Sequence, residues 1–289
     1  MDYVKPSEVA GTFFANAVAK AKLSISQLLL RGFLSGALLG FATAVTFTST
    51  AQGLPPVVGA ILFPVGFAMI VVLGLELVTG NFALMPAATL SGDVGLHSAF
   101  SNLIWVFMGN LLGGCLFAYL YTAVQTQFHH VPAVGPAALI VAAAQAKTIA
   151  YQHLGAVGWW LAFVKAILCN WMVCMGIVMA ITARSTLGKI VACWLPVFTF
   201  FSLGYEHSVV NMFLIPAGML MGAPISIREW WFWNQIPVTL GNVAGGLLFV
   251  GLPMLWMRPT MTKAVNAAHT PISAPEPFPH PRSSAVETR

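Results

Sequence analysis

Charge is what this chain has least of. Asp, Glu, Lys and Arg together fill 7% of 289 positions, against roughly 25% in soluble domains. With hydrophobic residues at 58% and mean hydropathy +0.83, a soluble globular domain is excluded. Cysteine is scarce as well: Cys115, Cys169, Cys174 and Cys193 all fall in apolar runs, with no metal-ligand spacing and no acidic or His neighbour in sequence. They are expected to pack rather than to form disulfides or bind metal, and no cofactor is expected. A cleavable signal peptide is missing, because the stretch from Asp2 to Gln27 is mixed and polar rather than a basic tip before an apolar core. The period-2 alternation of a membrane barrel is missing too, which leaves helices as the spanning element. The sequence pI is about 9.2, yet the thirteen Lys and Arg form no run or basic face. No nucleic-acid partner is expected, and the cations read instead as markers of membrane orientation.

What is present is a series of apolar runs, most reaching about 20 residues, the length a helix needs to cross a bilayer. Six spans are expected: about 27–48, 56–89, 99–124, 155–183, 190–221 and 235–257. Residues 1–26 open with Pro6-Ser7-Glu8 and place Val9, Phe13, Phe14, Val18 and Leu23 at helical spacing, which predicts an amphipathic helix at the membrane surface. The connection from Gln125 to His153 has room for a short helix, and the Pro- and Ser-rich tail 259–289 is expected to be disordered. Placing the N-terminus inside puts Lys5, Lys20, Lys22, Arg31, Arg184, Lys189 and Arg258 on the inner side and only Lys147 and Arg228 outside, which predicts both termini in the cytoplasm.

The second and fifth spans echo one another. Gly74-Leu75-Glu76-Leu77-Val78-Thr79-Gly80-Asn81 through Pro86 aligns with Gly204-Tyr205-Glu206-His207-Ser208-Val209-Val210-Asn211 through Pro216, Gly, Glu, Asn, Leu and Pro coinciding at one offset (204 − 74 = 130). Gly109-Asn110 through Gly114 likewise matches Gly241-Asn242 through Gly246 (241 − 109 = 132). Two echoes at nearly one offset indicate duplication, with repeats of about 27–124 and 155–257. A unit of three spans must insert its second copy upside down, the inverted-repeat plan of many channels and transporters. Glu76 to Asn81 and Glu206 to Asn211 then mark interruptions of spans two and five. A break after Gly80 would present a half-helix N-terminus, which favours an anion, to the middle of a pore.

Glu76, Asn81 and Glu206 read either as structural groups at the helix breaks or as functional ones. His207 is the only histidine within a span and is a functional candidate: a weak-acid anion entering a dry bore loses hydration, and an imidazole could share or donate a proton to it. Lys165, on span four, either snorkels to the interface or attracts anions, and Lys147 could concentrate anions at an outer mouth. Two other classes were weighed. An intramembrane enzyme would pair Glu206 with His207 but has no accompanying nucleophile or metal set. A neutral-solute pore would show paired Asn-Pro-Ala breaks, which are missing. The expectation is a transporter, not an enzyme.

Three stretches, Glu76 to Asn81, Leu168-Cys169-Asn170-Trp171-Met172-Val173-Cys174 and Gly204 to Met212, together resemble the hallmark motifs of the formate/nitrite transporter family, and the resemblance runs from about Pro6 to Pro253. It implies an all-α membrane protein of six transmembrane helices with an aquaporin-like inverted repeat and broken helices two and five, assembled as a homopentamer with one anion path per protomer. It also implies that Leu77, Thr79, His207 and Asn211 line the central site with Asn170 close by, and that Phe63 and Phe200 form the apolar constrictions. Lys147 stands further ahead of Asn170 than the family's vestibule lysine does. Its Ala146-Lys147-Thr148 setting, and Lys165 beside Leu168 to Trp171, look most like nitrite-type members. Formate or nitrite is the substrate so implied, with hydrosulfide, acetate or lactate as related weak acids.

Overall fold

The computed structural model describes residues 3–258, so the expected tail lies outside the described residues. Within them all regular structure is helical, apart from one isolated bridge between Tyr3 and Ala183. α1 (Pro6–Ala21) is followed by α2 (Ile25–Ala51), α3 (Pro56–Leu62), α4 (Pro64–Val72), α5 (Val78–Leu90) and α6 (Leu96–Gln125). α7 (Pro136–Ala146) and α8 (Ile149–His153) fill the long connection, which therefore holds two short helices rather than one. The second half comprises α9 (Ala156–Thr182), α10 (Thr186–Ser202), α11 (Ser208–Leu220) and α12 (Ile227–Trp256), the last containing two π-helical turns. α2, α6, α9 and α12 are long and apolar enough to cross a membrane, whereas α3–α4, α10 and α11 are shorter apolar segments.

The short helices follow from how each chain segment turns back. α4 ends in a Schellman turn: Gly74 takes φ +64°, its N–H donates to Val71 O (3.3 Å), and Leu75 N–H reaches back to Ile70 O (2.9 Å). α10 ends the same way, with Gly204 at φ +67° and Tyr205 N–H donating to Phe200 O (3.2 Å). Leu77 and His207 then take the same extended conformation (φ −119°, ψ 118°) and start α5 and α11. The helices thus begin before Gly80, not after it as the sequence suggested. Gly80 lies inside α5, where its missing Cβ makes room for the Ile177 side chain.

Irregular backbone within an apolar bundle needs partners for its N–H and C=O groups. Asn110 on α6 supplies them in the first half: its Oδ1 accepts from Val78 N–H (2.9 Å) and its Nδ2 donates to Glu76 O (3.0 Å) and to Gly32 O on α2 (2.8 Å). Asn242 on α12 repeats the set with Ser208 N–H (2.9 Å), Glu206 O (3.0 Å) and Ala166 O on α9 (2.8 Å). One side chain reaches both a loop and a neighbouring helix because the helices nearly touch. A Cβ on Gly36 or Gly113 would run into backbone of the α2–α6 pair, and one on Gly241 or Gly245 into α9. This is small-residue packing of the kind membrane helices favour.

α1 is amphipathic as expected, but its apolar face is buried against the protein. Ala10, Phe13, Phe14 and Ala17 are each under 5% exposed and pack with α5, the end of α9 and α12. Val4 N–H donates to Thr182 O (2.7 Å) at its start. Beside it Arg258 pairs with Asp93 and stacks on Phe14, and the Arg258 hydrogen bond holds the Asp93 carboxyl below its ordinary value. That tie is intact above the usual carboxylate range and is lost as pH falls through the lowered value.

The close approach of α2 and α6 is testable. Gly113→Ala forces a methyl into the Phe33 backbone and is expected to cost about 1–3 kcal/mol, read as a lower unfolding temperature of the detergent-solubilised protein. Gly11→Ala, in open space on α1, is expected to leave it unchanged or slightly raised.

Candidate functional site

Two carboxylates sit below the loops in matching cages. Glu76 (1% exposed) takes an ion pair from Lys20 Nζ (2.6 Å) and a bond from Asn81 Nδ2 (2.8 Å). Asn81 also donates to Asn102 Oδ1 (2.8 Å), and Asn102 in turn donates to Lys20 O (3.2 Å). Glu206 (1% exposed) takes Lys147 Nζ (2.9 Å) and Asn211 Nδ2 (2.8 Å), Asn211 donates to Asn234 Oδ1 (2.9 Å), and Asn234 donates to Lys147 O (2.9 Å). A buried carboxylate is tolerable because each negative charge meets an ammonium and amide donors. The second cage has one addition, Tyr151 O–H donating to Glu206 Oε1 (2.8 Å). Lys165 lies over the Tyr151 ring, 5.8 Å from its centroid, and lines neither cavity described below.

The halves differ at the helix starts. His207 Nδ1 accepts the Val210 N–H (3.2 Å) and so caps α11, which leaves the ring proton on Nε2, 3.1 Å from Thr79 Oγ1. A Thr79 hydroxyl that accepts this bond keeps its own hydrogen to donate elsewhere. Asn170 Nδ2 donates to Thr79 O (2.9 Å) and Asn242 O (2.6 Å), and Cys174 Sγ lies 3.4 Å from Thr79 O. Thr79 and Asn170 are fully buried and His207 is 3% exposed. Gly246 leaves the space that the Asn170 amide fills. The Glu206 and His207 side chains share no hydrogen bond, since the carboxylate is held by Lys147, Tyr151 and Asn211 and the imidazole by Val210 N–H and Thr79, so the acid/base pair that the sequence allows is not formed.

Two cavities flank this centre. One, about 360 Å³, opens beside α1 and is lined by Lys20, Ile70, Gly74, Leu77 and Asn81 together with Lys189. The other, about 110 Å³, is lined by Lys147, Phe200, Gly204, His207 and Asn211. Ile70 and Phe200, Gly74 and Gly204, Leu77 and His207, and Asn81 and Asn211 are each 130 positions apart, so the cavities are lined at matching positions. Asn81 Oδ1 and Asn211 Oδ1 have no protein partner among the described residues. Thr79 joins the two sides, being two residues from Leu77 and bonded to His207.

The phenylalanines expected at separate constrictions lie together. The Phe63 centroid is 5.9 Å from Phe200 and 3.9 Å from Phe201, and Phe200 stacks on His207 at 5.8 Å. Phe200 lines the second cavity, Phe63 lines neither, and Ile70 is the counterpart of Phe200 in the first. Lys20 was missed as a site residue. It looked like a flanking cation of a surface helix, and only the packing of α1 brings it to Glu76. Asn110 and Asn242 were legible as an echo but not as the partners of the loops, and Asn102 and Asn234 gave no signal in the sequence.

The family profile "Formate/nitrite transporter" matches residues 7–256. A "Probable formate transporter" of Methanothermobacter thermautotrophicus is 35% identical over 266 residues, covering 86% of this chain and 94% of that one. Among solved structures, one described as an FNT family ion channel is similar at TM-score 0.75 with 27% identity, covering 87% of this chain and 99% of its own. Another, a pentameric formate channel with formate bound, is similar at TM-score 0.63 with 25% identity, covering 81% and 97%. The all-helical fold with its apolar helices, and a family profile that spans the described bundle, identify a membrane transport protein of the channel type. This chain belongs to the formate/nitrite transporter family.

Removing one partner of the second cage is expected to be costly, because the Glu206 charge would be left buried. Lys147→Met should destabilise the purified protein by roughly 3–5 kcal/mol, and Lys147→Met with Glu206→Gln should recover much of the loss, both read as unfolding temperature in detergent.

Proposed function

We propose that this chain forms a pore for a small monovalent anion of the formate type, and the observation that carries this is the His207–Thr79 pair buried between two lysine-bearing cavities. Six spans cross a cytoplasmic membrane with both termini inside: α2, the broken α3–α4–α5, α6, α9, the broken α10–α11, and α12. Residues 1–26 precede this transport domain and 259–289 follow it. The formate-binding pentameric neighbour supports a homopentamer with a path in each protomer, and it and the named relative favour formate. Nitrite, of similar size and charge, is the companion substrate that the motif around Asn170 supports.

An anion enters either cavity beside the caged Lys20 or Lys147, whose ammonium groups keep N–H donors beyond the one each gives its glutamate, and passes apolar side chains, Ile70 and Leu77 on one side, Phe200 and Phe201 on the other. These strip its water, a cost that a bare ion could not meet. The Thr79 hydroxyl, receiving His207 Nε2–H, donates its own hydrogen to the anion, so the imidazole shares its proton with the pathway through Thr79 while the ring stays neutral, and the bond replaces part of the lost hydration. Glu76, Asn81, Glu206, Asn211 and Asn170 hold the loops and the helix starts in place. The formate-binding neighbour and the formate-transporter relative favour an anion over a neutral solute.

The test is labelled formate uptake into proteoliposomes near neutral pH, with glycerol as the neutral control. Thr79→Val keeps the shape but removes the donor and is expected to lower uptake roughly tenfold to hundredfold, the equivalent of one hydrogen bond to a charged group. His207→Phe, which keeps a ring beside Phe200 but takes the Nε2–H from Thr79, is expected to lower uptake comparably. Wild-type vesicles that pass glycerol and no formate would sink the proposal.

A further inference from the structure

The two mouths of the pathway are lined at matching positions but differ in size and in charge. In the second cavity the cation, Lys147, is neutralised by Glu206 at 2.9 Å. In the first, Lys20 is neutralised by Glu76 at 2.6 Å, yet the same wall carries Lys189 from α10, half-buried, with no carboxylate within ion-pair distance among the described residues. Arg31 approaches the rim, where its guanidinium donates to Gly74 O (3.3 Å). Lys189 is therefore the cation of this cavity that no side chain has answered.

A lysine near a helix end ordinarily marks membrane orientation, and Arg184 nearby, which is exposed, fits that role. Lys189 differs because it lines a cavity of about 360 Å³, three times the size of its counterpart, and faces α1 across it. α1 contributes Thr12 and Asn16 to the same wall. The Thr12 hydroxyl hydrogen is taken by Glu8 O (3.1 Å), so, beside the N–H groups that the paired Lys20 ammonium keeps, the donors left for a ligand are the Lys189 ammonium and the Asn16 amide. A concave, partly apolar wall around one unanswered cation concentrates anions from solution.

We propose that Lys189, with Asn16, forms an anion-holding subsite in the cavity beside α1, where a small carboxylate waits before it reaches Leu77, and that this makes loading from the α1 face tighter than loading from the opposite face. The subsite rests on the anion-conducting reading for its purpose but not for its detection.

Two measurements test it. In membrane vesicles of the two opposite orientations, Lys189→Gln raises the half-saturating formate concentration for uptake from the α1 face by roughly threefold to tenfold and leaves uptake from the other face unchanged, while Lys189→Arg stays near wild type. The wild-type advantage of the α1 face shrinks as ionic strength rises from about 0.01 to 0.15 M. No change in Lys189→Gln, or an equal loss from both faces as a folding defect would give, overturns the subsite. In the purified wild type, formate but not glycerol protects Lys189 from a water-soluble amine-modifying reagent, read by mass spectrometry. Modification indifferent to formate overturns the subsite even where flux is normal. Protection in a protein that moves no formate upholds the subsite and refutes the conduction reading.

Discussion

Everything at the centre of this molecule depends on two asparagines that satisfy broken backbone inside an apolar bundle. Asn110 and Asn242 each join the turn before a half-helix to that half-helix's first N–H and to a neighbouring long helix. An unpaired peptide group there would cost a few kcal/mol, and the loops could not remain where they are without these bonds. The glycines follow from the asparagines, because a short amide side chain bridges loop and helix only if the helices lie almost in backbone contact. The caged glutamates add a second layer, fixing the loops from below through Asn81 and Asn211.

Duplication separates scaffold from chemistry. Where the halves agree, in the Schellman glycines, the clamping asparagines and the caged carboxylates, the residues hold backbone. Where they differ, the side chains meet at the centre: Leu77 against His207, and Thr79 against Val209. Asn170 is a further departure. Asn110 and Asn242 bond Gly32 O and Ala166 O alike, so α2 and α9 correspond at an offset of 134, and Asn170 stands where α2 has Gly36. Gly36 admits the α6 backbone, while Asn170 reaches the Thr79 carbonyl. The matching residues line two cavities at corresponding positions, and three differences at the helix starts and α9 give a centre with one ring nitrogen, one hydroxyl and one amide.

Much of this was legible in the sequence. Apolar run length placed three of the four long helices within three residues, and the fourth starts at Ile227 rather than 235; the echoes at offsets 130 and 132 pointed to residues that make matching bonds, Glu76 with Glu206 and Asn110 with Asn242. The start of α5 was misplaced because Gly80 looked like the turn residue, whereas Gly74 is the one at positive φ. A glycine in sequence does not say whether it supplies a dihedral or a gap. Lys20 and the clustering of Phe63 with Phe200 were out of reach for a different reason: both depend on tertiary packing, of α1 against α5 and of α4 against α10, that leaves no local pattern.

The central claim is that a neutral His207, held by its Nδ1 on the α11 amide, presents Nε2–H to Thr79 in the pathway. Nitrogen NMR of the imidazole in bilayers measures this directly, with His207→Asn assigning the signal. The account predicts a protonated Nε2 and a bare Nδ1 near neutral pH, with the Nε2 signal shifting when formate is added. A proton on Nδ1, or a spectrum indifferent to formate, would contradict it.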